Sequence, residues 1–331
     1  MATVKEIAAA ARRIVEDNPD HPARGLARML VQETNRALTM EQARSRIRYA
    51  LGVKGGKARK WATAPRPPRQ AGQKLAMPAS VAEPWVPHVL EVTGRVGIMS
   101  DVHVPYHDEV AVQAAVDHIG EAGVSAILLN GDICDFYSIS RWDKDPSKRD
   151  FSGELTACRE FLAWLREQFP TIPIVLKAGN HEERFNHYIF QHAPELSKDR
   201  LGSLPAWLHL EQHGIQYVDD QRPVLVGKLP VLHGHELPRG ISSPVNPARG
   251  AWMRTKSSVL QGHQHQTSGH SEPNMWHEET FCWSTGCLCD LTPEFSRVNR
   301  WNHGAAIVTV HEGGEYDVEN FRISAGKVRQ L

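Results

Sequence analysis

No stretch of this 331-residue chain approaches the ~20 consecutive apolar residues that cross a bilayer, so no membrane-spanning helix is expected. The first residues, MATVKEIAAAARRIVED, are interrupted by Lys5, Glu6, Arg12 and Arg13. They lack the apolar core and small-residue cleavage site of a secretory leader. Cysteine is sparse: five residues, an odd count with no CxxC pair. That argues against a disulfide framework and a cysteine-held zinc, and it fits a reducing cytoplasm. No GxSxG elbow is present, so a serine-nucleophile hydrolase has no support. Acidic residues are missing altogether from Gln42 to Ala82. Hydrophobic residues at 41% and charged residues at 23% are ordinary for a globular protein and exclude collagen-like, mucin-like and wholly disordered chains.

What is present is an uneven distribution of charge and an abundance of histidine, 18 in all. Lysine and arginine total 38, as do aspartate and glutamate. Residues 1–80 hold 16 basic against 6 acidic residues, which leaves 22 against 32 for the remainder. Length suggests about two domains, and opposite charge suggests different partners for them.

Residues 1–52 read as three short helices. Thr3 with Glu6 forms a capping box, and Asn18-Pro19 ends the Ala-rich run. His21-Pro22 opens a second helix with Leu26, Met29 and Leu30 on one face. Thr39 with Gln42 caps a third, which ends at Gly52 and carries an apolar stripe of Ala43, Ile47 and Leu51. Arg44 and Arg48 share another face, with Arg46 nearby. A basic third helix is how a helix-turn-helix reads; a small bundle that contacts protein is the alternative. Residues 53–93 read as a linker, with Gly55-Gly56, the basic cluster Lys54, Lys57, Arg59 and Lys60, and Pro65, Pro67 and Pro68. Its cations can follow phosphates without reading sequence.

From residue 94 to the end at 331, short apolar runs alternate with helix-like stretches. Strands are expected at Val96–Met99, Ala126–Leu129, Ile172–Leu176, Val224–Val226, Pro230–Leu232, Ser258–Leu260, Phe281–Ser284 and Ala305–Val310, and helices near 108–121 and 153–168. The pattern predicts helices on a largely β core.

Five polar clusters follow these runs directly. They are Asp101-Val102-His103, Gly131-Asp132, Gly179-Asn180-His181-Glu182, His233-Gly234-His235 and Gly262-His263-Gln264-His265. Strand ends present residues to a crevice in α/β scaffolds. Carboxylate, amide and imidazole suit divalent metals of intermediate hardness. Each cluster alone is a common turn; the ordered set predicts a metal site.

As a set, these clusters resemble the calcineurin-like metallophosphoesterase superfamily, whose pattern runs DxH, GD, GNH(E/D), a lone His, then GHxH. The likeness covers roughly residues 94–311, and the phrases SDVHVPYHDE and AGNHEERFNHYI resemble a bacteriophage-associated branch. The resemblance implies a four-layer α/β/β/α sandwich, here behind a small all-α bundle. It implies two divalent ions (Mn, Fe, Zn or Ni, with Mn favoured). Asp101, His103 and His265 would hold one, Asn180, His233 and His263 the other, and Asp132 would bridge them. His233 is favoured over His235 because the family's lone His precedes a glycine. His181 would not be a ligand but would face the substrate as stabiliser and general acid. Glu182 would orient an imidazole or simply favour a helix N-terminus. The implied reaction is hydrolysis of a phosphoester by in-line attack of a metal-bridging hydroxide.

The substrate is less constrained. Ser/Thr protein phosphatases of this superfamily carry an arginine soon after GD. Here Phe136 and Tyr137 stand in its place, which argues against that activity. Arg184 or Arg141 can supply a guanidinium to phosphate instead, or form surface ion pairs. A basic module joined to an acidic phosphoesterase points to DNA or RNA as partner, with no membrane involvement and a cytoplasmic location. A phosphomonoesterase is the alternative, and a DNA-binding regulator with a purely structural metal domain the weakest reading.

Overall fold

The computed structural model describes residues 3–54, 77–142, 145–199, 202–219, 221–237 and 245–330. Lys57, Arg59 and Lys60 and the prolines at 65, 67 and 68 lie outside these residues. The chain divides into two compact units, residues 1–81 and 82–331.

The first unit is a three-helix bundle: α1 (Val4–Asp17), α2 (Ala23–Glu33) and α3 (Met40–Ala50). Both expected capping boxes form, Thr3 with Glu6 and Thr39 with Gln42. Each satisfies backbone donors that a helix N-terminus leaves over. Ala11, Ile14, Leu26, Ala27, Leu30, Ala43 and Ile47 make the core. The α3 stripe stops at Ile47, because Leu51 is 40% exposed at the helix end. Arg46 and Arg48 are exposed, Arg44 is half-buried beside Glu41, and Lys54 is exposed.

The second unit is a pair of stacked sheets. One holds seven strands in the order β13-β12-β11-β2-β3-β4-β5. Its parallel centre is β2 (Gly94–Met99), β3 (Ala126–Asn130), β4 (Ile174–Lys177) and β5 (Ile215–Val218). β11 (His303–Val310), β12 (Tyr316–Ser324) and β13 (Lys327–Gln330) extend it antiparallel. The other sheet runs β1-β6-β7-β8-β10-β9, built from His88–Leu90, Val224–Val226, Leu229–Leu232, Val259–Gln261, Glu279–Ser284 and Ser268–Pro273.

The period-two direction of side chains explains the layers. Val96, Ile98, Ala126, Leu128 and Val175 face the second sheet and pack on Val224, Val226, Val231 and Leu260. Met99, Ile127, Leu129, Ile174 and Leu176 face the opposite way, onto α4 (Glu109–Glu121), α5 (Phe151–Gln168) and α6 (Asn180–His192). With both faces covered, these strands read as unbroken apolar runs. The outer face of the second sheet carries α8 (Pro247–Thr255), whose Ala248 and Ala251 pack on Leu232, Val259 and Cys282. A further short helix, α7, is Leu204–Trp207. The order is helix, sheet, sheet, helix. α6, α8, β1, β5, β9, β12 and β13 were not evident in the sequence.

Candidate metal centre

Five loops meet at the carboxyl ends of β2, β3, β4, β7 and β8, each carrying one of the five clusters. Backbone hydrogen bonds lace them together beyond the strands. Asp101 N donates to Gly131 O at 3.0 Å, His103 N to Asp132 O at 3.0 Å, and Gly262 N to His233 O at 2.9 Å. Glycine is needed where loops converge. A Cβ on Gly262 would lie 2.7 Å from Asp101 Oδ2, and one on Gly131 2.6 Å from His233 Nδ1. Asp101, His103, Asp132, His263 and His265 all adopt positive φ, between 53° and 65°. The left-handed region costs a non-glycine residue roughly 1–2 kcal/mol, so the surrounding ties must hold these turns.

The side chains point inward. Asp132 Oδ2 lies 3.2 Å from His233 Nε2, 3.6 Å from His181 Nε2 and 3.9 Å from His103 Nε2. Asp101 Oδ1 lies 3.1 Å from His265 Nε2 and 3.9 Å from His233 Nε2. His103 Nε2 faces His265 Nε2 at 3.2 Å. His103, Asp132 and His181 form one group with ligand atoms within 4.8 Å, Asp132, His233 and His263 a second, and His103, His265 and Cys289 a third. His235 is turned away, with Nε2 donating to Glu183 Oε1 at 2.9 Å.

These residues fit a divalent cation. Asp101 Oδ1, Asn180 Oδ1 and His233 Nε2 are buried and have no hydrogen-bond partner among the described residues. Buried polar atoms are normally satisfied, and three at one centre call for a shared partner. His233 Nδ1 donates to Asn130 O at 2.8 Å, so a neutral ring leaves Nε2 as a lone pair aimed at Asp132.

Charge is compressed here. Burial opposes ionisation of Asp101 and Asp132, yet the imidazoles beside them hold both carboxyls below the usual range. Burial pulls His233 down, but Asp132 and Asp101 override it and push it up to about 10. His265 is likewise driven to about 10, against its burial, by Asp101. Burial and His233 lower His263 to about 4. A cation entering the centre must displace the protons on His233 and His265, so its binding weakens as pH falls.

Further residues shape the centre, and of these the sequence had singled out Glu182 alone. Asp135 Oδ1 accepts from His103 Nδ1 at 3.0 Å, and its carbonyl accepts from His181 Nδ1 at 2.7 Å. Asp135 follows Asp132 by three residues in GDICD, the one local signal it gave. Buried Glu182 accepts from four backbone amides: Asp132, Ile133, Cys134 and Gly179, at 2.8–3.1 Å. It therefore fixes the Asp132 turn and orients no imidazole. Glu236 accepts from the His233 and Gly234 amides and pairs with buried Lys177.

Of the two arginines considered for phosphate, Arg184 donates to Asp135 O at 2.9 Å and to His181 Nε2 at 2.7 Å. A guanidinium only donates and a carbonyl only accepts, so His181 carries its proton on Nδ1. Arg141 lies over the Trp142 ring, 5.0 Å from its centroid. Phe136, which stands where the protein phosphatases carry their arginine, is buried against Phe151 and Phe185. Cys287 and Cys289 are buried, with Cys289 Sγ 3.8 Å from His265 Nδ1. No helix among the described residues is long and apolar enough to cross a membrane.

A family model described as calcineurin-like phosphoesterase matches residues 94–302. The Gene 54 protein of Mycobacterium phage L5 is 29% identical over 182 residues, covering 52% of this chain and 69% of the relative. That of phage D29 is 28% identical over 190 residues, covering 55% and 72%. Both fit the phage-associated branch that the local phrases resemble. Among solved structures, a Vps29 single mutant from Entamoeba histolytica superposes with TM-score 0.40 at 11% identity, covering 72% of this chain and 97% of that one. The Pseudomonas putida nuclease MPE gives TM-score 0.33 at 14% identity, covering 71% and 87%.

Proposed function

Since this chain belongs to the calcineurin-like phosphoesterase family, and so is a metal-dependent hydrolase of phosphoesters, we propose that it cleaves phosphodiesters of nucleic acid with two divalent ions, manganese favoured. The observation that carries the metal centre is that Asp101 Oδ1, Asn180 Oδ1 and His233 Nε2 are buried without a hydrogen-bond partner among the described residues, with His233 Nε2 3.2 Å from Asp132 Oδ2. Asp101, His103 and His265 would hold one ion, and Asn180, His233 and His263 the other. Asp132 would serve both, because its Oδ2 faces His103 of one set and His233 of the other, while Oδ1 accepts from the His181 amide at 2.8 Å. Bound ions would supply Lewis-acid polarisation of the phosphoryl oxygens and an activated water.

The protein's own groups do the rest. Asp135 fixes His103 and His181 through their Nδ1 atoms, so that both Nε2 atoms face the centre. Arriving phosphate would take the Arg184 guanidinium from His181 Nε2. That gives a phosphoryl oxygen a charged donor and frees the Nε2 lone pair, which would take a proton from water before passing it to the leaving oxygen. Residues 1–52 would form a nucleic-acid module, with Arg44, Arg46 and Arg48, joined by the linker cations Lys54, Lys57, Arg59 and Lys60.

A panel run with added manganese tests this: a chromogenic monoester, a chromogenic diester, single-stranded DNA and duplex DNA. Turnover of the diester and DNA, lost on chelation, is expected. Turnover of the monoester alone would establish a phosphomonoesterase instead.

A further inference from the structure

Two recesses border the candidate centre, and they differ in chemistry. The first is a pocket of about 230 Å³ that shares His103 and His265 with the centre. Its other walls include Tyr106, Tyr137, Phe295 and Trp301. Trp301 meets His265 edge-on at 4.2 Å, and Phe295 meets Trp301 at 6.1 Å. Tyr106 and Tyr137 stand at 6.4 Å from each other. Phe295 is 82% exposed, an unfavourable position for a phenyl ring that covers nothing. The pocket is smaller than the roughly 300–1,000 Å³ of sites for drug-sized ligands, so it suits one planar ring system.

The second recess is a cleft of about 960 Å³ that reaches Asn180, Arg184 and His263. Arg141, Arg149 and Arg254 also line it. Its acidic side chain among the described residues is Glu183, which already accepts from His235. Arg254 Nε is buried and has no hydrogen-bond partner among the described residues. This cleft carries excess positive charge and open donors, which is what successive phosphates recognise.

We propose that the aromatic pocket receives one unpaired nucleobase of a strand whose scissile phosphate lies at the centre, and that the arginine cleft receives phosphates on the other side of that bond. The proposal rests on the nucleic-acid reading above and deepens it to single-stranded or frayed substrate. Stacking on aromatic rings tolerates every base, because each has a π-face. A paired base is stacked within the duplex and cannot enter a recess that holds one ring system.

Equilibrium binding to the chelated full-length protein tests the pocket apart from turnover. The probes are thymidine 5′-monophosphate and base-less deoxyribose 5-phosphate. Stacking of one base predicts about tenfold tighter binding of the nucleotide. Phe295→Ala, at an exposed position, should keep the circular dichroism of the parent and lose most of that preference. An eight-residue oligothymidylate should bind more tightly than its duplex with oligodeoxyadenylate. Arg149→Ala should weaken the oligonucleotide more than the mononucleotide. Equal affinity for the two small phosphates, no binding of either, or a preference that survives Phe295→Ala would overturn the proposal. Manganese-dependent turnover is scored separately. If turnover of DNA is absent while the base preference remains, the nucleic-acid cleavage reading fails and the base pocket stands.

Discussion

Asp132 is the residue on which the candidate centre turns. Its carboxylate faces His233, His181 and His103, its amide donates to Glu182, and its backbone sits at φ 53°. His181 is the residue whose role is most open to test. It stands in a group with His103 and Asp132 that has metal-ligand spacing, yet its Nδ1 is committed to Asp135 and its Nε2 to Arg184. His181→Ala should keep the metal content of the parent and lose turnover by ~10²–10⁴-fold, as for a group in acid–base chemistry. Elemental analysis beside a rate measurement separates the cases, and loss of metal would make His181 a ligand. The proposed ligands were legible because Asp, Asn, His and Gly each interrupt an apolar run at its end. Asp135, Lys177 and Glu236 were not. Glu182 stood in the GNHE phrase, but three of the four amides it holds lie about fifty positions away, and the Lys177–Glu236 pair spans fifty-nine, so neither tie leaves a local pattern.

At the scale of elements, the buried parallel strands declared themselves through continuous apolar runs, and the margins did not. β9, SGHSEP, alternates half-buried and exposed positions at a sheet edge, and β13, KVRQ, is largely exposed. Edge strands with one wet face carry little apolar signal. α6 was hidden for another reason. Only Glu182, Phe185 and Ile189 of its thirteen residues are buried, and it opens on the site residues themselves. Glu182 joins that helix to the turn after β3 with three charge-assisted hydrogen bonds out of water, and a fourth ties it to the helix's own N-cap, Gly179. Glu182→Ala should therefore cost about 3 kcal/mol or more in a denaturant titration, since hydrogen bonds to a charged group contribute ~1.5–3 kcal/mol each. A change below about 0.5 kcal/mol, the size typical of a neutral surface substitution, would show that the turn holds itself.

At the scale of the whole molecule, the acidic second unit carries all five clusters and the basic first unit carries none. A truncation that tests this division should begin at residue 82. A start at 94 would remove β1, which pairs with β6 through His88–Val224 and Leu90–Val226. The shortened chain should turn over a small chromogenic phosphodiester about as fast as the full chain. Its affinity for DNA should fall, and the salt dependence should flatten by about 0.9 log–log unit for each phosphate that the removed cations had neutralised. Equal affinity and equal slopes in a salt series would make the helical bundle a protein-contact element instead. The bundle itself was legible from its two capping boxes and apolar spacing; what its arginines touch is not written in either.

Asp132 is proposed to hold two ions that hydrolysis requires. The most direct measurement is a manganese titration of the chelated full-length protein, following bound ions per chain and hydrolysis of a chromogenic diester in the same samples. Turnover should be absent without metal, stay low at one ion and reach its plateau at two. Asp132→Asn should bind less metal and remain inactive throughout. Full turnover at one ion, turnover in the chelated protein, or normal turnover in Asp132→Asn would contradict the account.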